Sequence, residues 1–183
     1  PGLAGRRVVD APFVNVDWLP TLLELSGTDV PREIDGVSQA ALLRTGKASR
    51  PSRTLYWHLP HYTNQGSRPA GAVRDGEWKL VEHYDDDQLQ LFNLANDIGE
   101  ARNLASAEPA RTAALREKLR AWRQSVGAQE NRPNPAVNAT LYNELYVTFD
   151  PTRFDPLRAD DAEWQKVAEW RKRMNAAVAK PAQ

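Results

Sequence analysis

The chain has no cysteine among its 183 residues, which excludes disulfides, thiolate catalysis and zinc sites built on Cys ligands. It has no excess of either charge, because 24 basic and 24 acidic residues give a formal net charge of zero. Composition therefore gives no electrostatic argument for binding nucleic acid or an anionic membrane. No apolar run reaches the roughly 20 residues that span a bilayer, and no signal peptide is recognised. What is present is a 41% hydrophobic chain, long enough for the core of one ordinary domain.

Short catalytic motifs are missing as well. The sequence contains no G-x-S-x-G, no H-E-x-x-H and no phosphate-binding loop. Ser38 and Ser52 have no general base at a recognisable spacing. No short motif therefore points to a catalytic residue in this chain.

Apolar spacing and capping residues predict four helices, over 17–26, 38–43, 109–126 and 161–178. Asp17 is expected to cap the first helix, and Asp160 with Glu163 forms a capping box before the last. Gly27 and Gly127 are suited to end the first and third helices. The face of the third helix that should cover a sheet comprises Leu115, Leu119, Trp122 and Val126. The stripe expected on the last helix comprises Trp164, Val167, Met174 and Val178.

Alternating and β-branched or aromatic residues predict four strands, over 53–58, 70–74, 77–84 and 88–92. Asp75-Gly76 is expected to supply the positive φ angles of a two-residue hairpin turn. Trp78, Leu80 and Tyr84 should share one face of the sheet. The predicted fold class is α+β, a small antiparallel sheet of about four strands covered by a long helix, with helices flanking it at both ends.

Four short segments carry a resemblance to a known family. They are DWLPTLL at 17–23, DGVS at 35–38, DGEWKL at 75–80 and LFNLANDIGEARNL at 91–104. Together with Pro1-Gly2, they occur in the order found in the C-terminal part of the type I sulfatases, of the alkaline phosphatase superfamily. The resemblance covers about the first three-quarters of the chain. Each segment alone is weak, and their ordered set is specific.

The chain departs from the family pattern in two mild ways and one grave way. Ile98 stands where the family usually has Pro, and Phe92 where Tyr is commoner. The grave departure is that no C/S-x-P-x-R segment precedes these motifs in this chain, so the nucleophile that becomes formylglycine is missing from its family position. Ser49-Arg50-Pro51-Ser52-Arg53 fits the letters of the pattern, but it follows the segments 17–23 and 35–38. The upstream residues that hold the metal and the sulfate in the family are missing too. The resemblance thus implies a scaffold that is inactive alone.

The resemblance implies a parent enzyme that hydrolyses sulfate esters on a carbohydrate, with Ca²⁺ and formylglycine as cofactors held outside this chain. It implies two partners, an N-terminal catalytic domain and a sulfated carbohydrate, and a periplasmic or secreted parent enzyme. It also predicts three parts. Residues 1–52 would end the large α/β domain, 53–127 would form the C-terminal sheet with its covering helix, and 128–183 would be a connection and a helical extension.

One segment, YWHLPHY at 56–62, has the composition of a ligand surface, because sugars stack on aromatic rings and hydrogen-bond to imidazoles. A similar segment lies near the pocket rim in many carbohydrate sulfatases. The resemblance therefore assigns substrate binding to His61, His58, Tyr62 and Trp57. The alternative is a strand end whose His side chains hydrogen-bond to the backbone.

Other sites are weaker candidates. His58 and His61 have a spacing that permits metal binding, but Pro60 disfavours the helix that would align them. Asp85-Asp86-Asp87 could bind Ca²⁺, although acidic turns are commonly just solvated. Lys79 and the turn residues from Asp97 to Glu100 are interpreted as structural.

Two other functions remain open. One is a different enzyme of the same superfamily, such as a phosphodiesterase or a phosphoglycerol transferase. The other is a non-catalytic carbohydrate-binding module that reuses this sheet. An upstream C/S-x-P-x-R segment in the same reading frame would refute the second of these.

Overall fold

The computed structural model describes residues 8–9, 11–47, 53–149 and 154–178. The chain divides into two compact units, Pro1–Thr54 and Leu55–Gln183. The predicted turn at Pro1-Gly2 and the residue Ser52 lie outside the described residues. No helix in the described part of the chain is long and apolar enough to cross a membrane.

The first unit contains two short helices. A single 3₁₀ turn, Asn15–Asp17, leads directly into α1, Trp18–Ser26, and α2 follows at Ala40–Thr45. Both helices end at a glycine in the left-handed region, Gly27 with φ 75° and Gly46 with φ 78°. A residue with a Cβ is strained in this conformation, which is why glycine stops a helix efficiently.

The second unit is built on an antiparallel meander. Its strands are β1 (Leu55–Leu59), β2 (Ala70–Asp75), β3 (Trp78–His83) and β4 (Leu89–Asn93), in the spatial order β1-β2-β3-β4. Each strand pairs with the one before it. Short turns join β2 to β3 and β3 to β4, as expected for antiparallel neighbours, and the longer segment 60–69 joins β1 to β2. The predicted α+β fold with a four-stranded antiparallel sheet is confirmed.

The turn between β2 and β3 differs from the prediction by one residue. Asp75 pairs with Trp78, so the two turn residues are Gly76 and Glu77. Only Gly76 has a positive φ in this turn, 60°, and Asp75 remains in the strand. A single glycine at the first turn position suffices for one of the two common hairpin turns, so Asp75 is free to extend the ladder.

The core of this unit lies between the sheet and α3, Pro109–Ser125. The buried side chains that form it are Val73, Leu80, Leu91, Leu115 and Leu119. Trp122 extends the packing by stacking on Tyr56, with ring centroids 4.8 Å apart and planes 6° from parallel. Val126, predicted to lie on the same face, is 55% exposed, because the helix ends at Ser125 and the chain turns away at Gly127.

The remainder of the chain forms a second, smaller core. Helix α4, Ala139–Tyr142, continues into a π-helical turn, Asn143–Val147, and α5 covers Asp161–Val178. The predicted capping box begins α5: Glu163 N–H donates to Asp160 Oδ1 at 2.8 Å, and Asp160 N–H donates to Glu163 Oε2 at 3.0 Å.

The prediction of which α5 residues form its buried apolar face is partly wrong. Met174 is buried as expected, but Trp164 is 47% exposed and rests on Phe154 instead. The buried aromatic residue is Trp170, whose Nε1–H donates to the Leu145 carbonyl at 3.0 Å. The side chain of Val178 lies outside the described residues. The face that α5 buries is set by the π-helical turn packed on it, which periodicity within α5 does not reveal.

Candidate functional site

Asp17 is fully buried in the first unit, and its carboxylate joins three separate segments. It accepts hydrogen bonds from Val14 N–H at 3.1 Å and from Val37 N–H at 2.9 Å. Arg53 Nη1 donates to both carboxylate oxygens, at 2.6 and 2.7 Å. Burial alone would raise the pKa of Asp17, but these hydrogen bonds outweigh it and hold the pKa below its ordinary value.

This geometry corrects the prediction that the Asp17 side chain caps α1. Asp17 does occupy the N-cap position, but its side chain makes no capping hydrogen bond to that helix. Its neighbours are equally structural: Thr21 Oγ1 accepts from Gln39 N–H at 2.9 Å, and a Cβ on Gly36 would lie 1.9 Å from the Val16 carbonyl oxygen. Residues 17–23 and 35–38 therefore form a packed junction within the first unit.

The turn that follows β4 is also held by its own side chains. Asp97 accepts from the N–H groups of Ala101 and Arg102, at 3.0 and 2.9 Å. Asn103 Oδ1 accepts from Leu91 N–H at 3.0 Å, which fastens the turn to the sheet. These contacts confirm the interpretation of this segment as a turn former.

Lys79 is paired as well. Its Nζ donates to Glu100 Oε1 at 2.6 Å, so the lysine of the DGEWKL segment is a salt-bridged residue of the sheet. The charged side chains of Asp17, Asp97 and Lys79 are thus each bonded to other groups of this chain.

His58, a predicted substrate ligand, is bonded at both ring nitrogens. Nδ1 lies 2.9 Å from Tyr84 Oη, and Nε2 lies 2.8 Å from the Gln129 carbonyl oxygen. A carbonyl oxygen only accepts, so Nε2 bears the hydrogen. This arrangement favours the alternative interpretation for His58, a strand-end histidine bonded within the protein. It also leaves no lone pair for a metal shared with His61.

The structure does not bring the four predicted site residues together. Trp57 is 46% exposed and lies on the sheet face opposite His58, because successive strand residues alternate between faces. His61 is exposed in the bend after β1. Tyr62 turns toward the C-terminal segment, where its ring packs on Tyr146 with centroids 4.8 Å apart.

Tyr62 lies in the wall of a cavity of about 690 Å³ within the second unit. One side of this cavity is formed by Tyr62, Pro69, Tyr84 and Asp85. The other side comes from the chain after α3: Asn131, Arg132, Pro133, Asn134, Val137, Asn138, Leu141, Tyr142, Leu145, Tyr146 and Ala177. We refer to it below as the tyrosine cavity.

Asp85 organises the polar side of the tyrosine cavity. Its Oδ2 accepts from Tyr62 Oη at 3.0 Å and from Tyr142 Oη at 2.9 Å. Arg68 Nε and Nη2 complete the cluster by donating to the two carboxylate oxygens, at 2.9 and 2.6 Å. The two sides of the cavity, far apart in sequence, are thus joined through one carboxylate.

The surroundings of this cluster favour an ionised Asp85 and protonated Tyr62 and Tyr142. Burial would raise the pKa of Asp85, but the bonds from Arg68, Tyr142 and Tyr62 outweigh it and lower that pKa. Burial and the Asp85 carboxylate raise the pKa of Tyr142 to about 12, and raise the pKa of Tyr62 as well. With raised pKa values, neither tyrosine is suited to act as a base near neutral pH.

The acidic turn does not fit a calcium site. Arg68 pairs with both Asp85 and Asp86, and Arg116 pairs with Asp87. Within 8–9, 11–47, 53–149 and 154–178, no group of three or more His, Cys, Asp or Glu side chains could hold a metal ion. The described residues therefore do not form a site for the Ca²⁺ expected in the parent enzyme.

Residues 2–125 match the family described as N-sulphoglucosamine sulphohydrolase, C-terminal. The chain belongs to this sulfatase family. The match contains all four strands and α3, so the sheet, its covering helix and the motif junctions belong to the family. The second side of the tyrosine cavity, formed within residues 131–146 and by Ala177, lies beyond the matched region.

Curated relatives agree with this membership. A sulfatase of Formosa agariphila is 33% identical over 122 residues, which are 58% of this chain and 22% of that protein. Arylsulfatase K of Mus musculus is 29% identical over 69% of this chain and 28% of its own length. A Delta 4,5-hexuronate-2-O-sulfatase of Bacteroides thetaiotaomicron is 34% identical over 49% of this chain and 19% of its own length. The chain spans less than a third of the length of each.

Solved structures place the same fold in two kinds of hydrolase. A 2-O GAG sulfatase superposes with a TM-score of 0.51 at 27% identity, over 65% of this chain and 27% of the other. A phosphonate monoester hydrolase from Silicibacter pomeroyi also gives 0.51, at 28% identity, over 68% of this chain and 28% of the other. The architecture alone therefore does not separate sulfur from phosphorus esters.

Sequence reasoning missed most of the tyrosine cavity. Tyr142 and Tyr146 are four residues apart, a spacing that puts both side chains on one helical face, and this was the available signal. Nothing local pointed to Tyr84 or Arg68, or to Asp85 as a hydrogen-bond acceptor for tyrosines. Of the predicted residues, only Tyr62 reaches the cavity.

Proposed function

We propose that this chain is the C-terminal portion of a sulfatase that hydrolyses sulfate esters on a carbohydrate. The observation that supports this is the family match over residues 2–125 in a chain with no C/S-x-P-x-R segment ahead of its DWLPTLL motif at 17–23. The nucleophile, converted to formylglycine, and the ligands of Ca²⁺ would belong to a catalytic domain outside this chain. Carbohydrate as the substrate class is supported by relatives named for hexuronate and N-acetylglucosamine sulfates.

In this proposal the chain is scaffold and pocket rim. Residues 1–52 would complete the large domain, 53–127 would form the C-terminal sheet and helix, and 128–183 would extend it. Exposed apolar side chains on α1 support contact with a further domain, since Trp18, Leu19 and Leu22 are each more than half exposed. His61, exposed beyond β1, remains the residue proposed to touch the sugar.

The first prediction tests whether hydrolysis requires residues outside this chain. Purified chain should not hydrolyse 4-nitrophenyl sulfate above a boiled control, with or without Ca²⁺, because it has no nucleophile. The protein from the complete reading frame should hydrolyse it, and hydrolyse a phosphonate monoester much more slowly. Turnover by the purified chain would contradict the proposal, and preference for the phosphonate would favour the phosphorus-ester alternative.

The second prediction separates His61 from His58 in the complete enzyme. His61→Ala should lower kcat/KM for a sugar sulfate about 10- to 100-fold and leave the aryl sulfate nearly unchanged, since a lost hydrogen bond to a sugar hydroxyl costs roughly 1–3 kcal/mol. His58→Ala should instead lower the melting temperature, because it removes the partner of the Gln129 carbonyl and one of the hydrogen-bond partners of Tyr84. Equal loss on both substrates by His61→Ala, with normal melting, would place His61 at the sulfate.

A further inference from the structure

We propose that the tyrosine cavity is a binding site for a sulfated sugar ring. The ligand class rests on the proposed function, and the site itself rests on the walls, charge and size of the cavity. It involves residues that the family match does not contain, so its specificity would be a property of this chain and of proteins that share the segment 131–146.

The walls are suited to a sugar. The rings of Tyr62, Tyr142 and Tyr146 pack on one another, with centroid separations of 4.8 to 6.1 Å, and are fixed by their neighbours. Fixed aromatic rings offer flat apolar faces to the C–H face of a pyranose at little cost in conformational entropy. Leu141 and Val137 also line the cavity, as do Asn134 and Asn131, whose Nδ2 donates to the Pro60 carbonyl oxygen.

One cationic side chain in the cavity is available to an anion. The oxygens of Asp85 already accept from Arg68 and from the two tyrosine hydroxyls, and Arg68 is shared with Asp86, so neither Asp85 nor Arg68 is that group. Arg132 lines the cavity and is exposed, and among the described residues it has no ion-pair partner. A free guanidinium beside aromatic faces recognises a sulfate or a carboxylate group through paired hydrogen bonds.

The size of the cavity is compatible with this ligand. A volume of about 690 Å³ lies within the usual range of small-molecule sites, about 300–1,000 Å³. A few polar groups converge on a mostly apolar concavity, which is the usual composition of such sites. The other occupant to be tested is a polypeptide segment of the catalytic domain.

The third prediction concerns binding to the chain itself. N-acetylglucosamine 6-sulfate and an unsaturated hexuronate 2-sulfate are titrated into ¹⁵N-labelled chain, with the unsulfated sugars as comparison. Saturable shifts are expected at amides of 132–146 and at Asp85 for at least one sulfated sugar, with about tenfold weaker binding of its unsulfated form. No saturable shift with either sulfated sugar, or shifts confined to other residues, would overturn the proposal.

Variants locate the site. Arg132→Ala should weaken binding of the sulfated sugar about tenfold and leave the unsulfated sugar unaffected, while Arg132→Lys should retain part of the preference. Val137→Trp, at an exposed position on the cavity wall, should block both sugars. The control is Arg158→Ala, which removes an exposed arginine paired only locally with Asp155. Equal loss in the control, or none with Arg132→Ala and Val137→Trp, contradicts the assignment.

Activity of the complete enzyme separates this inference from the proposed function. If that enzyme hydrolyses the aryl sulfate but Arg132→Ala and Val137→Trp leave KM for the sugar sulfate unchanged, the cavity is occupied otherwise and only the inference fails. If the chain binds sulfated sugar through Arg132 but the complete protein hydrolyses no sulfate ester, the proposed function fails and the cavity stands as a carbohydrate-binding site.

Discussion

Replacing Asp17 by alanine should destabilise the first unit by about 3–5 kcal/mol, the usual cost of removing one partner of a buried ion pair. The variant leaves Arg53 without its carboxylate and the N–H groups of Val14 and Val37 without their acceptor. Amide hydrogen exchange of Val37 and Gln39 reports the loss locally, since both amides are hydrogen-bonded within this junction. Exchange there should quicken by roughly two to four orders of magnitude.

The matched control is Glu24→Ala on the same helix. Glu24 forms an exposed pair with Arg44 at 3.6 Å, and exposed pairs contribute only about 0–1 kcal/mol. If Asp17→Ala and Glu24→Ala change exchange at Val37 equally little, the Asp17 junction contributes no more than a surface contact.

The same junction has a pH dependence whose sign follows from its pKa. Because the folded-state pKa of Asp17 lies below its unfolded value of about 4, its contribution is complete above that value. The contribution is lost as the pH falls through the folded-state pKa, below pH 4. Asp17→Asn should therefore be less stable than the parent chain at neutral pH and should differ from it progressively less in acid.

Replacing Leu80 by alanine should destabilise the second unit by about 3–5 kcal/mol. The side chain is fully buried in the core between the sheet and α3, so its loss leaves a cavity. Leu80 sits between Val73 and Leu91 in register, so a cavity there is enclosed on both sides. Urea denaturation followed by circular dichroism should show a lower midpoint at unchanged slope.

The control for this prediction is Leu157→Ala, the same chemical change at a side chain that is 94% exposed. It should leave the urea midpoint within the error of the parent chain. A loss below about 1 kcal/mol for Leu80→Ala would show that the sheet and α3 do not form the principal core of this unit.

The sequence by itself determined the elements that rest on local signals. The capping box of Asp160 and Glu163 sets the start of α5, Gly27 and Gly127 end their helices, and short turns pair β2, β3 and β4 in sequence order. Each of these depends on residues within a few positions, where steric and hydrogen-bond preferences are expressed in any context. The ordered motif segments likewise sufficed to indicate the sulfatase family, which the match over residues 2–125 established.

Only the tertiary structure decided which side chains meet across long separations. Arg53 pairs with Asp17 from 36 residues away, and Tyr142 reaches Asp85 from 57 residues away. Trp170 rather than Trp164 is buried because the π-helical turn selects one face of α5. His58 is bonded internally because Tyr84 and Gln129 converge on it. Such pairings depend on how elements pack, and no periodicity within a single segment encodes the neighbour it will face.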